Sequence, residues 1–450
     1  MRRWIATLLG AAMLTSCATQ LGGGIGKPLP ALGTAHASRA PGAYIKHIVL
    51  IIQENRTFDN IFAGFPGADT KMHGFTHTGA RVTLRPIPFK PDQDMNHDYA
   101  PAYKAVNGGR MNGFDLVTFD SGQPAETYPY AYLERDEVAP YWAMAKRYTL
   151  VDRMFPTELG PSFTSHLSLI AGTTTLSTNP AKSEANVPSN SPWGCDAPPG
   201  TATETVNAAR VIGAGPFPCF TQFRTLADVL DAGSVSWTYY APQLAANYGG
   251  ALWSTFDAIE KVRYGKDWSH VVSPQTTVLK DAANGGLAQM SWVVPDYKDS
   301  DHPAAESDTG PSWVASIVNA IGKSPDWNST AIIVLWDDWG GWYDNARPPK
   351  LDYRGLGIRV PCIVISPYAR AHTVVHAQYE FGSVLRFVEE TFGLPAIGPA
   401  AAGYTDARAR SLAGAFDFTQ KPRRFVPVAQ KYSADYFLTR QPSGQPVDNQ

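Results

Sequence analysis

Charge is scarce in this 450-residue chain. Only 17% of it is Asp, Glu, Lys or Arg, and the formal net charge is −2. Without a basic excess there is no electrostatic footprint for nucleic acid, so no such partner is expected. Cysteine is scarcer, at four residues with no CxxC pair, which argues against a thiolate zinc site. The N-terminal apolar run, Trp4 to Leu14, is too short to span a bilayer. Glycine (39), proline (36), tryptophan (12) and tyrosine (20) are plentiful, as in long, ordered, aromatic-rich loops. That composition fits an exported protein better than a cytosolic helix bundle. The length allows one large α/β domain or two to three smaller ones.

Arg2 and Arg3 precede the apolar run, and Leu14-Thr15-Ser16-Cys17 follows it. The latter resembles the lipobox of bacterial lipoproteins, which implies a signal peptide over 1–17 and lipidation of Cys17. Ordinary cleavage around Ser16-Cys17-Ala18 is the alternative, and the Arg pair leaves a twin-arginine route open. Residues 18–42, rich in Gly, Ala, Pro and Ser, read as a flexible tether. The expectation is an exported, membrane-anchored lipoprotein facing the periplasm or cell surface. Cys195 and Cys219 share a Pro/Gly-rich loop, and export favours a disulfide between them. Cys362 lies in an apolar run as a buried free thiol.

Several aliphatic runs end abruptly in polar residues. Ile48 to Ile52 stops at Gln53-Glu54-Asn55-Arg56, with Thr57 or Asp59 placed to cap a helix. Leu287 to Val294 leads to Asp299-Ser300-Asp301-His302, Ala331 to Trp336 to Asp337-Asp338, and Ile358 to Ile365 to Ser366-Pro367. Helices are predicted between them, one over 312–322 ending at its Gly. This alternation predicts a three-layer α/β/α fold with a mainly parallel central sheet over 43–420. Residues 174–220 lack periodicity and read as a loop insertion, and 421–450 as a polar surface or disordered tail. Open α/β sheets bind ligands at the carboxyl ends of their strands.

Adjacent carboxylates such as Asp337-Asp338 repel unless a cation lies between them. With Glu54, Asn55, His97, His302 and His376 they form a hard oxygen and imidazole set suited to a divalent cation whose identity is open. Ser162, after Gly160-Pro161 and before an apolar helical stretch, is either an N-cap or a hydroxyl beside free N–H groups that suit a phosphate. Glu54 is likewise either a helix cap or a site residue. Together these pieces describe metal-assisted phosphoryl transfer through a covalent serine intermediate.

The segments ENRTFDNIFAGFPG, MNHD, GGRMNGF, the Ser162 region with His166, SDHP, DDWGGWYD, VPCIVISPYAR and QYEFGS resemble the bacterial phosphoesterase family, in order from about 44 to 400. That family includes phosphatidylcholine-type phospholipases C and acid phosphatases on an alkaline-phosphatase-like fold. The resemblance implies metal ligands at Glu54, Asn55, Asp337 and Asp338 and a nucleophile at Ser162. It implies catalytic roles for His97, His302 and Asp301, and substrate contacts for Asp98, His166, Asn345 and His376, with Glu380 nearby. Many relatives have His where this chain has Asn345, and Asn cannot donate a proton at useful pH. Phospholipase members often carry extra C-terminal β domains, and this sequence ends without them. The implied substrate is a phospholipid or a small phosphate monoester, with Trp339, Trp342 and Tyr343 able to wall a choline pocket. A surface lipoprotein that binds phosphorylated ligands without turnover is the non-enzymatic alternative.

Overall fold

The computed structural model describes residues 40–90, 93–244 and 250–443. Cys17, the signal peptide and most of the tether lie outside the described residues. The central sheet is built from β1 (His47–Gln53), β2 (Thr149–Phe155), β3 (Trp237–Tyr240), β4 (Val271–Val272), β5 (Met290–Val293), β6 (Thr330–Trp336), β7 (Val360–Ile365), β8 (Thr373–Val375) and the short β9 (Tyr379–Glu380). Their order is β4-β3-β5-β1-β6-β7-β2-β8, with β9 also on β2. β1 is parallel to both β5 and β6, and β7 is antiparallel to β6 and to β2. The sheet is therefore mostly parallel, with one reversed strand. Pro361 in β7 has no N–H for the ladder, and the register to β2 shifts at that point.

β1 sits in the middle because Ile48 to Ile52 offers apolar side chains to both faces, and all five are buried. Eight helices matter here: α1 (Phe58–Phe62), α2 (Ala139–Arg147), α3 (Ser162–Ala171), α4 (Leu226–Ala232), α5 (Thr277–Asn284), α6 (Gly310–Lys323), α7 (Phe381–Phe392) and α8 (Ala434–Thr439). α2, α5 and α8 gather around α6, while α4 and α7 gather around α3, giving a helical layer on each face of the sheet. α6 runs past Gly322, against which Phe425 packs, and its C-cap is Ser324 rather than a glycine.

Two readings of loops change. Residues 174–220 hold a four-stranded antiparallel sheet (Thr175–Thr178, Ala181–Glu184, Glu204–Asn207, Ile212–Ala214), too short and polar to show periodicity. Cys195 and Cys219 are joined by a disulfide there, and Cys362 is free and buried. Residues 421–443 are not a detached tail: α8 packs on α6, with the Phe437 ring 5.4 Å from Trp313. Among the described residues no helix is long and apolar enough to cross a membrane.

Candidate active site

β1, β2, β5 and β6 all point the same way, so their carboxyl ends open on one edge of the sheet. The β1–β6 register pairs Gln53 with Trp336, which brings Glu54 and Asn55 beside Asp337 and Asp338. The Asp337 N–H donates to Gln53 O at 2.9 Å, and the Asn55 N–H to Asp337 Oδ1 at 2.9 Å. Asn55 makes that bond from a left-handed backbone, φ 57°, a sparsely populated conformation outside glycine. Gly340 (φ 55°) packs so close to the Asn55 carbonyl that a Cβ would overlap it, and its N–H donates to Asp338 Oδ1 at 2.8 Å.

Ser162 arrives from the loop after β2. It is the first residue of α3, whose N-cap is Pro161, and its hydroxyl does not cap the helix. Oγ lies 3.1 Å from Asn55 Oδ1, 3.2 Å from Asp338 Oδ2 and 3.3 Å from Glu54 Oε2. One hydroxyl proton can satisfy only one of three acceptors, so oxygen lone pairs crowd this point. Glu54 is not a cap either, because Thr57 Oγ1 takes that role by accepting from the Asn60 N–H at 3.1 Å. The Glu54 Oε1 atom instead faces His166 Nε2 at 2.9 Å.

His97 joins through Asn55. Its Nδ1 lies 2.7 Å from the Met95 carbonyl, which fixes Nδ1 as the protonated nitrogen and leaves Nε2 to accept from Asn55 Nδ2 at 3.1 Å. That orientation turns Asn55 Oδ1 toward Ser162. His302 stands 6.5 Å from His97, ring to ring, and 3.7 Å from Asp94.

The carboxylates are fully buried. Burial, reinforced by Asp337 and then Asp338, holds the Glu54 carboxyl well above its usual range. Burial and then Asp337 also raise Asp338. Burial pushes His166 down to about 4, leaving a neutral imidazole at physiological pH. Asp337 Oδ2 is buried without a hydrogen bond. Glu54, His166 and Asp337 each place one ligand atom within 4.8 Å of the others. An orphaned carboxylate oxygen, clustered anions and a neutral imidazole fit a divalent cation.

Other residues named from the sequence lie apart. Asn345 donates to Asp69 Oδ1 at 3.2 Å and accepts from Arg359 Nη2 at 2.9 Å. His376 is exposed and paired with Asp152 at 2.8 Å. Glu380 caps α7 and binds Arg408 at 2.9 Å. None of the three shares a hydrogen bond or ion pair with Ser162 or its carboxylates. Asp301 is held by Tyr141 (2.7 Å) and Trp336 (3.1 Å), and burial raises it to about 6. Asp98 is the N-cap of the helix Tyr99–Val106, and burial raises its carboxyl. Trp339, Trp342 and Tyr343 are buried and pack against Phe114, Tyr128 and Tyr130. Asp94 and Tyr141 escaped sequence reasoning, since neither sits at a strand end.

The profile of the phosphoesterase family matches residues 45–395. The chain belongs to the phosphoesterase family. Membership makes it a hydrolase of phosphoric esters, and the family is generally metal-dependent. Among curated relatives, "Phospholipase C A" of Mycobacterium tuberculosis is 25% identical over 446 residues, covering 85% of this chain and 79% of that protein. "Non-hemolytic phospholipase C" of Burkholderia pseudomallei is also 25% identical, covering 77% of this chain and 55% of that one. A solved alkaline phosphatase superfamily protein from Vibrio parahaemolyticus aligns over 80% of this chain and 69% of its own, at 12% identity and a TM-score of 0.35.

Proposed function

We propose that this phosphoesterase is an exported, divalent-metal-dependent enzyme of the phospholipase C kind, working through a phosphoserine on Ser162. The observation that carries the reading is the Ser162 hydroxyl among three oxygen acceptors in a buried carboxylate cluster with no Lys or Arg partner among the described residues. Glu54, Asn55, Asp337 and Asp338 would hold the cation, with His166 adjoining. When bound, it would lower the pKa of the serine hydroxyl and neutralise phosphoryl oxygens.

Ser162 Oγ attacks phosphorus, and the Oγ–P bond forms as the bond to the leaving alkoxide breaks. The serine proton passes to a carboxylate oxygen of Asp338 or Glu54. His302, in its imidazolium form, donates a proton to the leaving oxygen, while His97, its Nδ1 proton committed to the Met95 carbonyl, orients Asn55. Water then cleaves the Oγ–P bond and restores the serine. With a phosphatidylcholine substrate the first step releases diacylglycerol and the second phosphocholine. The export and anchoring half of the reading rests on the sequence around Cys17.

Purified protein assayed with divalent cation on phosphatidylcholine and on p-nitrophenyl phosphate tests the proposal. Diacylglycerol release that Ser162→Ala abolishes is the expected result. Turnover of the monoester alone would make the chain an acid phosphatase instead. No hydrolysis of either substrate would overturn the enzymatic reading in favour of a binding protein.

A further inference from the structure

Residues 423–443 run as a strap along α6. Trp327 Nε1 donates to Arg423 O at 2.9 Å, and Asn319 exchanges two hydrogen bonds with Val428. Gln430 reaches Ser316 at 3.0 Å, and the Lys431 N–H reaches Ser312 at 3.1 Å. At the far end Arg440 donates from Nη2 to Asp299 Oδ2 at 2.7 Å and lies 3.5 Å from Asp296. The Ser443 N–H donates to Asp296 Oδ2 at 3.1 Å.

These two aspartates anchor the loop that follows β5, and that loop touches the site along its length. The carbonyls of Asp299, Ser300 and Asp301 accept, in turn, from Gln53 Nε2 (2.9 Å), the Glu54 N–H (2.8 Å) and Arg56 Nε (2.8 Å). The next residue is His302, whose N–H donates to Ser300 Oγ at 3.1 Å. Asp301 holds φ 72°, so the loop is kept in a conformation that it would not choose alone. Asp299 is buried and has two side-chain partners, Thr309 Oγ1 at 2.7 Å and Arg440. Without Arg440 its charge would be stranded beneath the loop.

We propose that Arg440, from the C-terminal strap, is a positioning residue for the hydrolytic site. Its grip on Asp299 and Asp296 sets the Asp296–His302 loop, and through it the Glu54 backbone and the His302 ring. The proposal rests on the phosphoesterase reading above for its catalytic half.

The test uses full-length Arg440→Met, Arg440→Lys and the double variant Asp299→Asn/Arg440→Met, which breaks the link without stranding a charge. Amide hydrogen exchange over 296–302 is measured beside kcat and KM on whichever substrate the wild type hydrolyses. Arg440→Met is expected to exchange faster in that loop and to lose about tenfold in kcat, with KM changed by less than about twofold. Arg440→Lys should recover most of the loss. If Arg440→Met does not fold, the double variant is held to the same expectation. Unchanged kcat overturns the proposal even if exchange quickens or the melting temperature falls, because the strap would then be structural only. A fall in kcat without faster exchange overturns it too. Should the wild type hydrolyse nothing, the proposed function fails, and exchange alone decides whether the strap holds the loop.

Discussion

Two buried carboxylate clusters grow from the same pair of loops, and they resolve their repulsion differently. Farther along those loops Asp59 and Asp344 face each other, and Arg359 stands with them. Its Nε is 3.0 Å from Asp344 Oδ1 and its Nη2 3.4 Å from Asp59 Oδ1, while Nη1 donates to the carbonyls of Asp69 and Asp152. That cluster is closed. A few residues earlier, Glu54, Asp337 and Asp338 are as deeply buried, but their partners among the described residues are imidazoles, a serine hydroxyl and two backbone N–H groups rather than a Lys or Arg. Among the described residues the chain supplies its own cation to the closed cluster and none beside Ser162. Anions left uncompensated at that depth are costly, and the proposed cation would relieve that cost.

The sharpest way to break this contrast is catalytic. Ser162→Ala should cost hydrolysis on the order of a thousandfold or more, while the protein remains folded. Asn345→Ala, in the closed cluster, should change turnover far less, and equal losses in the two would erase the distinction. Stability should then separate the clusters in opposite directions. Arg359→Met strands two buried carboxylates and should destabilise by about 3–5 kcal/mol in urea unfolding. Asp337→Asn removes repulsion, so metal-free protein carrying it should be at least as stable as metal-free wild type.

A ligand effect of intermediate size follows. Divalent cation at about one hundred times its Kd should stabilise wild type by about 2.7 kcal/mol. Asp337→Asn should show little of that gain, and Asn345→Ala should keep it. A pH effect concerns a carboxyl outside both clusters. Burial pushes Glu184 up to about 8 from an ordinary 4.5. Because the folded chain holds that proton more tightly than the unfolded one, stability is greatest below the ordinary value and falls as pH rises toward 8. Glu184→Gln should flatten that slope, gaining on the order of 4 kcal/mol relative to wild type at pH 8.5. An unchanged slope would show that burial alone does not set the carboxyl's cost here.

The strand-end positions of Glu54, Asp337 and the loop before His302 were legible because uninterrupted aliphatic runs stop at polar clusters. Ser162 needed the family resemblance, since its local sequence serves equally for a helix cap. The closed cluster was not legible. Asp59, Asp344 and Arg359 lie far apart in sequence, and only the packing of β7 against β6 brings the arginine in. That packing also explains Asn345, which is held by Arg359 rather than aimed at Ser162. The strap was missed for a related reason. Its contacts are single side chains on α6 and backbone groups, which leave no periodic pattern in residues 423–443.

The most direct test is elemental analysis of the purified protein after exhaustive dialysis, read beside phosphate-ester turnover. Wild type should retain about one equivalent of a divalent metal per chain. Asp337→Asn and Glu54→Gln should lose it together with activity, and Asn345→Ala should keep both. A wild-type protein that hydrolyses its ester fully with no bound metal, or whose metal survives both Asp337→Asn and Glu54→Gln, would contradict the account.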